Sequence, residues 1–226
     1  MLAIVFVCVL QIAFAVTPHP WDAVARADAN WQKRHKNFIQ TTQQFGKDIK
    51  IVFYGDSLTQ RWENQGRIVW HEYYGNLSAV NYGIDGDRTE HLVYRMHSGE
   101  LNGLHSFVAV VNIGTNNMRF NTVKDIAKGV KQVVDSLHAG LPNIKVLLLG
   151  ILARTGPINS KVNQTNQLIA KFDNGKSVRF LNMNSHFENS NGTIHSDLFK
   201  DGVHLTEKGY KVWAQTMDPL LKKMLK

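Results

Sequence analysis

Five short apolar runs recur along the chain: Ile49 to Tyr54, Ala79 to Ile84, Phe107 to Ile113, Lys145 to Leu152 and Val178 to Met183. Each is rich in Val, Ile, Leu or other apolar residues and nearly continuous rather than alternating, the pattern of strands covered on both faces. Parallel strands need helical crossovers, and helix-like stretches lie between the runs. Thr122 to Ala139 places Val123, Ile126, Ala127, Val130, Val133, Val134 and Leu137 on one helical stripe, closed by Gly140 and Pro142. Thr206 is placed to cap a last helix running to Leu225, which Pro219 must kink or interrupt. The N-terminal stretch with Trp21, Trp31, His19 and His35 reads as an irregular segment followed by an ordinary surface helix. The alternation predicts an α/β protein: a three-layer α/β/α sandwich around a five-stranded parallel sheet.

The chain has 226 residues, 43% of them hydrophobic and 19% charged, which suits one globular domain. Its start reads differently. Residues 1–15, MLAIVFVCVLQIAFA, carry no charge and end in a small-x-small pattern, the mark of a cleaved secretory signal peptide; residues 16–226 then form a single domain. The run is too short for a membrane span, which needs about 20 apolar residues. Three sequons, at Asn76, Asn163 and Asn191, fit an extracellular glycoprotein. The one cysteine, Cys8, lies in the leader, so the mature chain is expected to use neither a disulfide nor a thiolate metal site.

A net charge of +8 favours acidic surroundings and is compatible with peripheral contact at a membrane or acidic surface. The basic residues are scattered and no nucleic-acid reading motif accompanies them, so no nucleic-acid partner is expected. The chain is expected to work as a monomer or homodimer.

In a parallel α/β sheet, ligands meet the carboxyl ends of the strands. Gly55-Asp56-Ser57 follows the first run, Gly83 and Gly86-Asp87-Arg88 the second, and Gly114-Thr115-Asn116-Asn117 the third; Asp201-Gly202-Val203-His204 precedes the last helix. A serine hydroxyl becomes a nucleophile when a base takes its proton and a third group orients that base. Ser57, His204 and Asp201 are the right three types, and Asp201 and His204 are close enough in sequence to face one another. Ser57 can equally sit where a helix N-cap sits. Donors for an oxyanion are available in the Ser57 N–H at a helix start, the N–H of Gly83 and the side-chain amide of Asn116; one such donor contributes about 3 to 4 kcal/mol of transition-state stabilisation. Asp56 reads as structural, Asp87 and Arg88 as a mutual ion pair or a brace for the second turn, and Trp62 and Trp70 as packing residues. Arg154, after the fourth run, lies near the same sheet edge, within conceivable reach of an anionic substrate.

Gly55-Asp56-Ser57-Leu58, Asn81 with Gly83, Gly114-x-Asn116 and Asp201-x-x-His204 together resemble the four sequence blocks of the SGNH, or GDSL, hydrolase superfamily. The stretches NYGIDGDRTEHLVYRM, NIGTNNM and DGVHLTEKGY are similar to the catalytic subunits of intracellular platelet-activating factor acetylhydrolase and their bacterial relatives. The resemblance implies Ser57 as nucleophile, His204 as base, Asp201 as its orienter, and Ser57 N–H, Gly83 and Asn116 as the oxyanion hole. It also implies a flavodoxin-like strand order 2-1-3-4-5, no cofactor and no metal, and a small acyl ester, most simply an acetyl ester of a lipid or a glycan, as substrate. Asn117 stands where many members have Asp, and Met118 where the acetylhydrolase branch commonly has His, at the expected pocket rim. The expectation is a secreted esterase of acetylhydrolase type. A carbohydrate O-acetylesterase is the alternative, and a non-catalytic secreted binding or matrix protein on the same fold is the alternative of another class.

Overall fold

The computed structural model describes residues 17–226, so the proposed signal peptide and Cys8 lie outside the described residues. The five apolar runs become strands β1 (Ile51–Gly55), β2 (Ala79–Gly83), β3 (Val108–Asn112), β4 (Lys145–Leu149) and β5 (Val178–Leu181). All pairings are parallel and the order is β2-β1-β3-β4-β5. β1 and β3 are buried along their whole length and β4 along all but its first residue, while the edge strands β2 and β5 are only partly covered. Continuous apolar sequence is thus what a central position in a two-faced sheet demands.

The helices are α1 (Ala29–Phe45), α2 (Ser57–Gln60), α3 (Arg67–Tyr74), α4 (Thr89–Arg95), α5 (Val123–Gly140), α6 (Ile158–Ile169) and α7 (Glu207–Met224). Alternate strand residues feed two cores. Val52 and Tyr54 of β1 meet Trp31, Leu92, Val130 and Val162 from α1, α4, α5 and α6. Ile51 and Phe53 face Val69, Tyr210, Trp213 and Met217 from α3 and α7. Three layers result, and the central strands end together: Gly55 is level with Gly83 on one side and Asn112 on the other.

Thr122 and Thr206 cap α5 and α7 through their side chains. Pro219 does not interrupt α7, which continues through it to Met224. His35 departs from the surface-helix expectation. It is buried and its Nδ1 lies 2.7 Å from Glu100 Oε1, a pairing made across 65 residues.

Candidate active site

β1 passes directly into α2, and the residue that caps this helix is Asp56: its Oδ1 accepts from Leu58 N–H at 2.9 Å. Ser57 is therefore the first helical residue rather than the cap. Its N–H faces out of the helix start with no acceptor among the described residues. Asp56 is fully buried, and burial raises its carboxyl to about 7, against the lowering effect of the Leu58 N–H; the charge of Asp87 adds to the rise. Its role is to hold the turn.

At the other end of the chain, Asp201 folds the loop before α7 around itself. Its Oδ1 accepts from Val203 N–H at 3.1 Å and His204 N–H at 2.8 Å, and its Oδ2 lies 2.7 Å from His204 Nδ1. Partial burial pushes this carboxyl upward, but the hydrogen bonds from the His204 ring and the two N–H groups outweigh it and hold the pKa at about 2. An ionised Asp201 fixes the proton on Nδ1 and leaves Nε2 as an acceptor. His204 Nε2 lies 3.0 Å from Ser57 Oγ, so the serine hydroxyl donates to it. The triad geometry is complete without rearrangement.

The structure separates the two glycines of the second turn. Gly83 N–H already donates to Asn81 Oδ1 at 2.9 Å, and a Cβ here would lie 2.2 Å from Gln60 N. Gly83 is thus the place where β2 passes tightly against α2, not an oxyanion donor, and this corrects the sequence expectation. Gly86, with φ +75°, lines the cleft beside Ser57, Asn116 and His204, and its N–H has no acceptor among the described residues. Asn116 spends one amide hydrogen on Asp87 O at 2.8 Å and retains a second for the cleft. Ser57 N–H, Gly86 N–H and Asn116 Nδ2 are the available donors.

The turn bearing Gly86 is braced by charges that sequence spacing did not pair. Asp87 does not bond Arg88, which instead reaches Glu90 at 2.9 Å. Asp87 accepts from Trp31 Nε1 at 2.7 Å, and Arg95 Nε lies 3.0 Å from its Oδ2. Arg95, itself fully buried, also contacts Glu100 at 3.1 Å and donates to Tyr82 O at 3.0 Å. Burial raises Asp87 to about 6 even though Arg95, Trp31 and Arg26 favour its charge. Tyr210 was legible only as an apolar position on α7; its hydroxyl donates to Leu58 O at 2.7 Å and ties α7 to the helix that Ser57 begins.

Asn117 is buried, accepting from Thr89 N–H at 3.0 Å and donating to Glu90 at 2.9 Å. Met118 is also buried in the core and does not line the cleft that holds Ser57, which corrects its expected place at the pocket rim. Trp62 is buried against Tyr210 and Trp213, and Trp70 packs on Phe53. Of the sequon residues, Asn76 and Asn191 are exposed and Asn163 is half-buried. No cluster of three metal-ligating side chains occurs among the described residues.

A sheet of this order with a serine at the β1 carboxyl end and an Asp-His pair before the last helix defines a hydrolase of the GDSL class. A model of the GDSL-like Lipase/Acylhydrolase family matches residues 53–212, and the chain belongs to that family. It is 32% identical over 205 residues to human platelet-activating factor acetylhydrolase IB subunit alpha1, covering 88% of this chain and 86% of that one. To the alpha2 subunit of Rattus norvegicus it is 30% identical over 215 residues, covering 93% and 91%. A GDSL-like lipase structure from Bacteroides thetaiotaomicron shares the fold with a TM-score of 0.72 at 18% identity, over 84% of this chain and 97% of that one.

Proposed function

We propose that the protein is a secreted serine esterase that cleaves short acyl esters, acetyl esters foremost, through an acyl-enzyme. The observation that carries this reading is the continuous chain from Ser57 Oγ to His204 Nε2 at 3.0 Å and from His204 Nδ1 to Asp201 Oδ2 at 2.7 Å. Ser57 Oγ attacks the ester carbonyl as His204 takes its proton, and Asp201 stabilises the imidazolium. The carbonyl oxygen becomes an oxyanion held by Ser57 N–H, Gly86 N–H and the second amide hydrogen of Asn116. His204 returns the proton to the departing alcohol. Water then gives a proton to His204, adds to the acyl carbon, and the collapse of that adduct returns Ser57 and releases the acid.

The acetyl preference is supported by likeness to the acetylhydrolase subunits. Secretion is supported by the uncharged apolar leader and the three sequons. The test is p-nitrophenyl acetate hydrolysis by wild type and Ser57→Ala, with fluorophosphonate labelling alongside. Turnover and labelling in the wild type alone are expected; equal rates in both proteins, or an unlabelled wild type, favour a binding protein on this fold.

A further inference from the structure

The N–H of Gly86 belongs to the Asp85–Gly86 peptide, which sits in the middle of a tight turn. Asp87 N–H donates to Ile84 O at 3.1 Å and Gly86 has φ +75°, the form of a type II turn across Ile84 to Asp87. Glycine adopts positive and negative φ with similar ease, so the central peptide of such a turn can rotate into the type I form, which reverses the directions of its C=O and N–H. Because the peptide is planar and trans, these two groups point opposite ways, and whatever holds Asp85 O also aims Gly86 N–H. The group that holds Asp85 O is Arg26. Its Nη1 donates to that oxygen at 2.6 Å and lies 3.5 Å from Asp87 Oδ1. The guanidinium lies against Gly86, with Nη1 3.2 Å and Nη2 3.5 Å from where a Cβ would stand.

Arg26 does not line the cleft that holds Ser57; with Gln60, Asp85 and Gly86 it lines a separate cavity of about 410 Å³. It comes from the irregular segment before α1, outside residues 53–212 that the family model matches. That segment is fastened by bonds of its own: Thr89 Oγ1 donates to Pro20 O at 2.6 Å, Val24 N–H to Glu90 O at 3.1 Å, and Gln32 Nε2 to Arg26 O at 2.5 Å. An ordinary surface arginine keeps its charge in water, whereas this side chain is only 27% exposed. A cation donating to a peptide oxygen polarises the whole amide, and hydrogen bonds in series strengthen one another. We infer, resting on the esterase reading, that Arg26 is a positioning residue: by gripping Asp85 O it holds the turn in its type II form and presents a strengthened Gly86 N–H to the oxyanion.

The test compares wild type, Arg26→Gln and Arg26→Lys with p-nitrophenyl acetate. In Arg26→Gln kcat is expected to fall about tenfold while KM changes less than about twofold, a part of the roughly 10²- to 10³-fold that follows loss of a whole oxyanion donor. Arg26→Lys keeps a cationic donor and should recover some of the loss. On the Gly86→Ala background, where the new Cβ already crowds the guanidinium, Arg26→Gln should lower kcat little further, a non-additivity that a general loss of stability does not produce. Additive losses, a wild-type kcat in Arg26→Gln, or a change in KM alone overturn the inference. The amide NMR signal of Gly86 needs no turnover: it is expected to shift in Arg26→Gln and to move back toward its wild-type position in Arg26→Lys, and an unmoved signal overturns the grip on the turn. A wild type that neither hydrolyses the ester nor takes a fluorophosphonate label removes the esterase reading and the catalytic part of this inference with it. An active wild type matched by an equally active Arg26→Gln removes the role of Arg26 alone.

Discussion

The side-chain amide of Asn116 donates to the backbone carbonyl of Asp87 at 2.8 Å, so the turn after β3 and the turn after β2 are held to each other at the proposed oxyanion site. Asn116→Ala removes both this tie and a proposed transition-state donor. We expect kcat for p-nitrophenyl acetate to drop on the order of 10² to 10³-fold, with KM changed far less. Steady-state kinetics decide it; a rise in KM alone would assign Asn116 to substrate binding.

Gly83 and Gly86 are expected to fail differently when replaced by alanine. At Gly83 the new Cβ would meet Gln60 N at 2.2 Å and Thr59 C at 2.7 Å, both backbone atoms that cannot move aside, so the melting temperature should fall sharply. At Gly86 the nearest atom is the flexible Arg26 Nη1 at 3.2 Å, and the main cost is the positive φ, roughly 1 to 2 kcal/mol. Gly86→Ala should therefore fold but lose kcat. Calorimetry paired with kinetics tests the distinction, and a stable, active Gly86→Ala would remove Gly86 from the oxyanion hole.

Arg95→Met leaves Asp87 and Glu100 buried without their shared cation. Breaking a buried ion pair in this way costs about 3 to 5 kcal/mol. Urea unfolding of wild type and variant measures the loss, and a difference within about 1 kcal/mol would mean that the buried pairs contribute little net stability.

Asp56 carries a pH signature. Its ordinary value is 3.8 and its folded value about 7, so between these limits the folded chain holds a proton that the unfolded chain has released. Stability from this group is full below pH 4 and declines as pH rises toward 7, by at most roughly 1.4 kcal/mol per pH unit. Asp56→Asn keeps an acceptor for Leu58 N–H and does not titrate. Its stability relative to wild type should therefore improve from pH 4.5 to pH 7, and an unchanged difference at the two pH values would contradict the assignment.

Tyr210→Phe deletes the hydroxyl that reaches Leu58 O and leaves that buried carbonyl unpaired, costing about 1 to 3 kcal/mol. Because the bond joins α7 to α2, the expected result includes a loss of kcat together with a lower unfolding midpoint. A stability loss with unaltered kcat would make the tie purely architectural.

The sheet was largely legible because continuous apolar runs mark buried parallel strands; the strand order came from family resemblance, since hydrophobicity carries no information about which strands adjoin. Ser57, Asn116, Asp201 and His204 were legible as residue types at strand ends. The choice of Gly83 over Gly86 failed because two glycines three residues apart look alike until the Asn81 side chain is seen to occupy one N–H. Likewise Asp56, not Ser57, caps α2, since either residue type caps well. Asp87 with Arg95, His35 with Glu100 and Tyr210 with Leu58 were invisible because each pair depends on how separate helices dock.

Ser57 and His204 are 147 positions apart, and the loop bearing His204 leads into α7, which Tyr210 pins to α2. During synthesis Ser57 emerges long before His204, its proposed base. On the proposed mechanism, a chain stopped short of residue 204 holds an unactivated alcohol, and ester cleavage reports that the loop before α7 has been made and has docked.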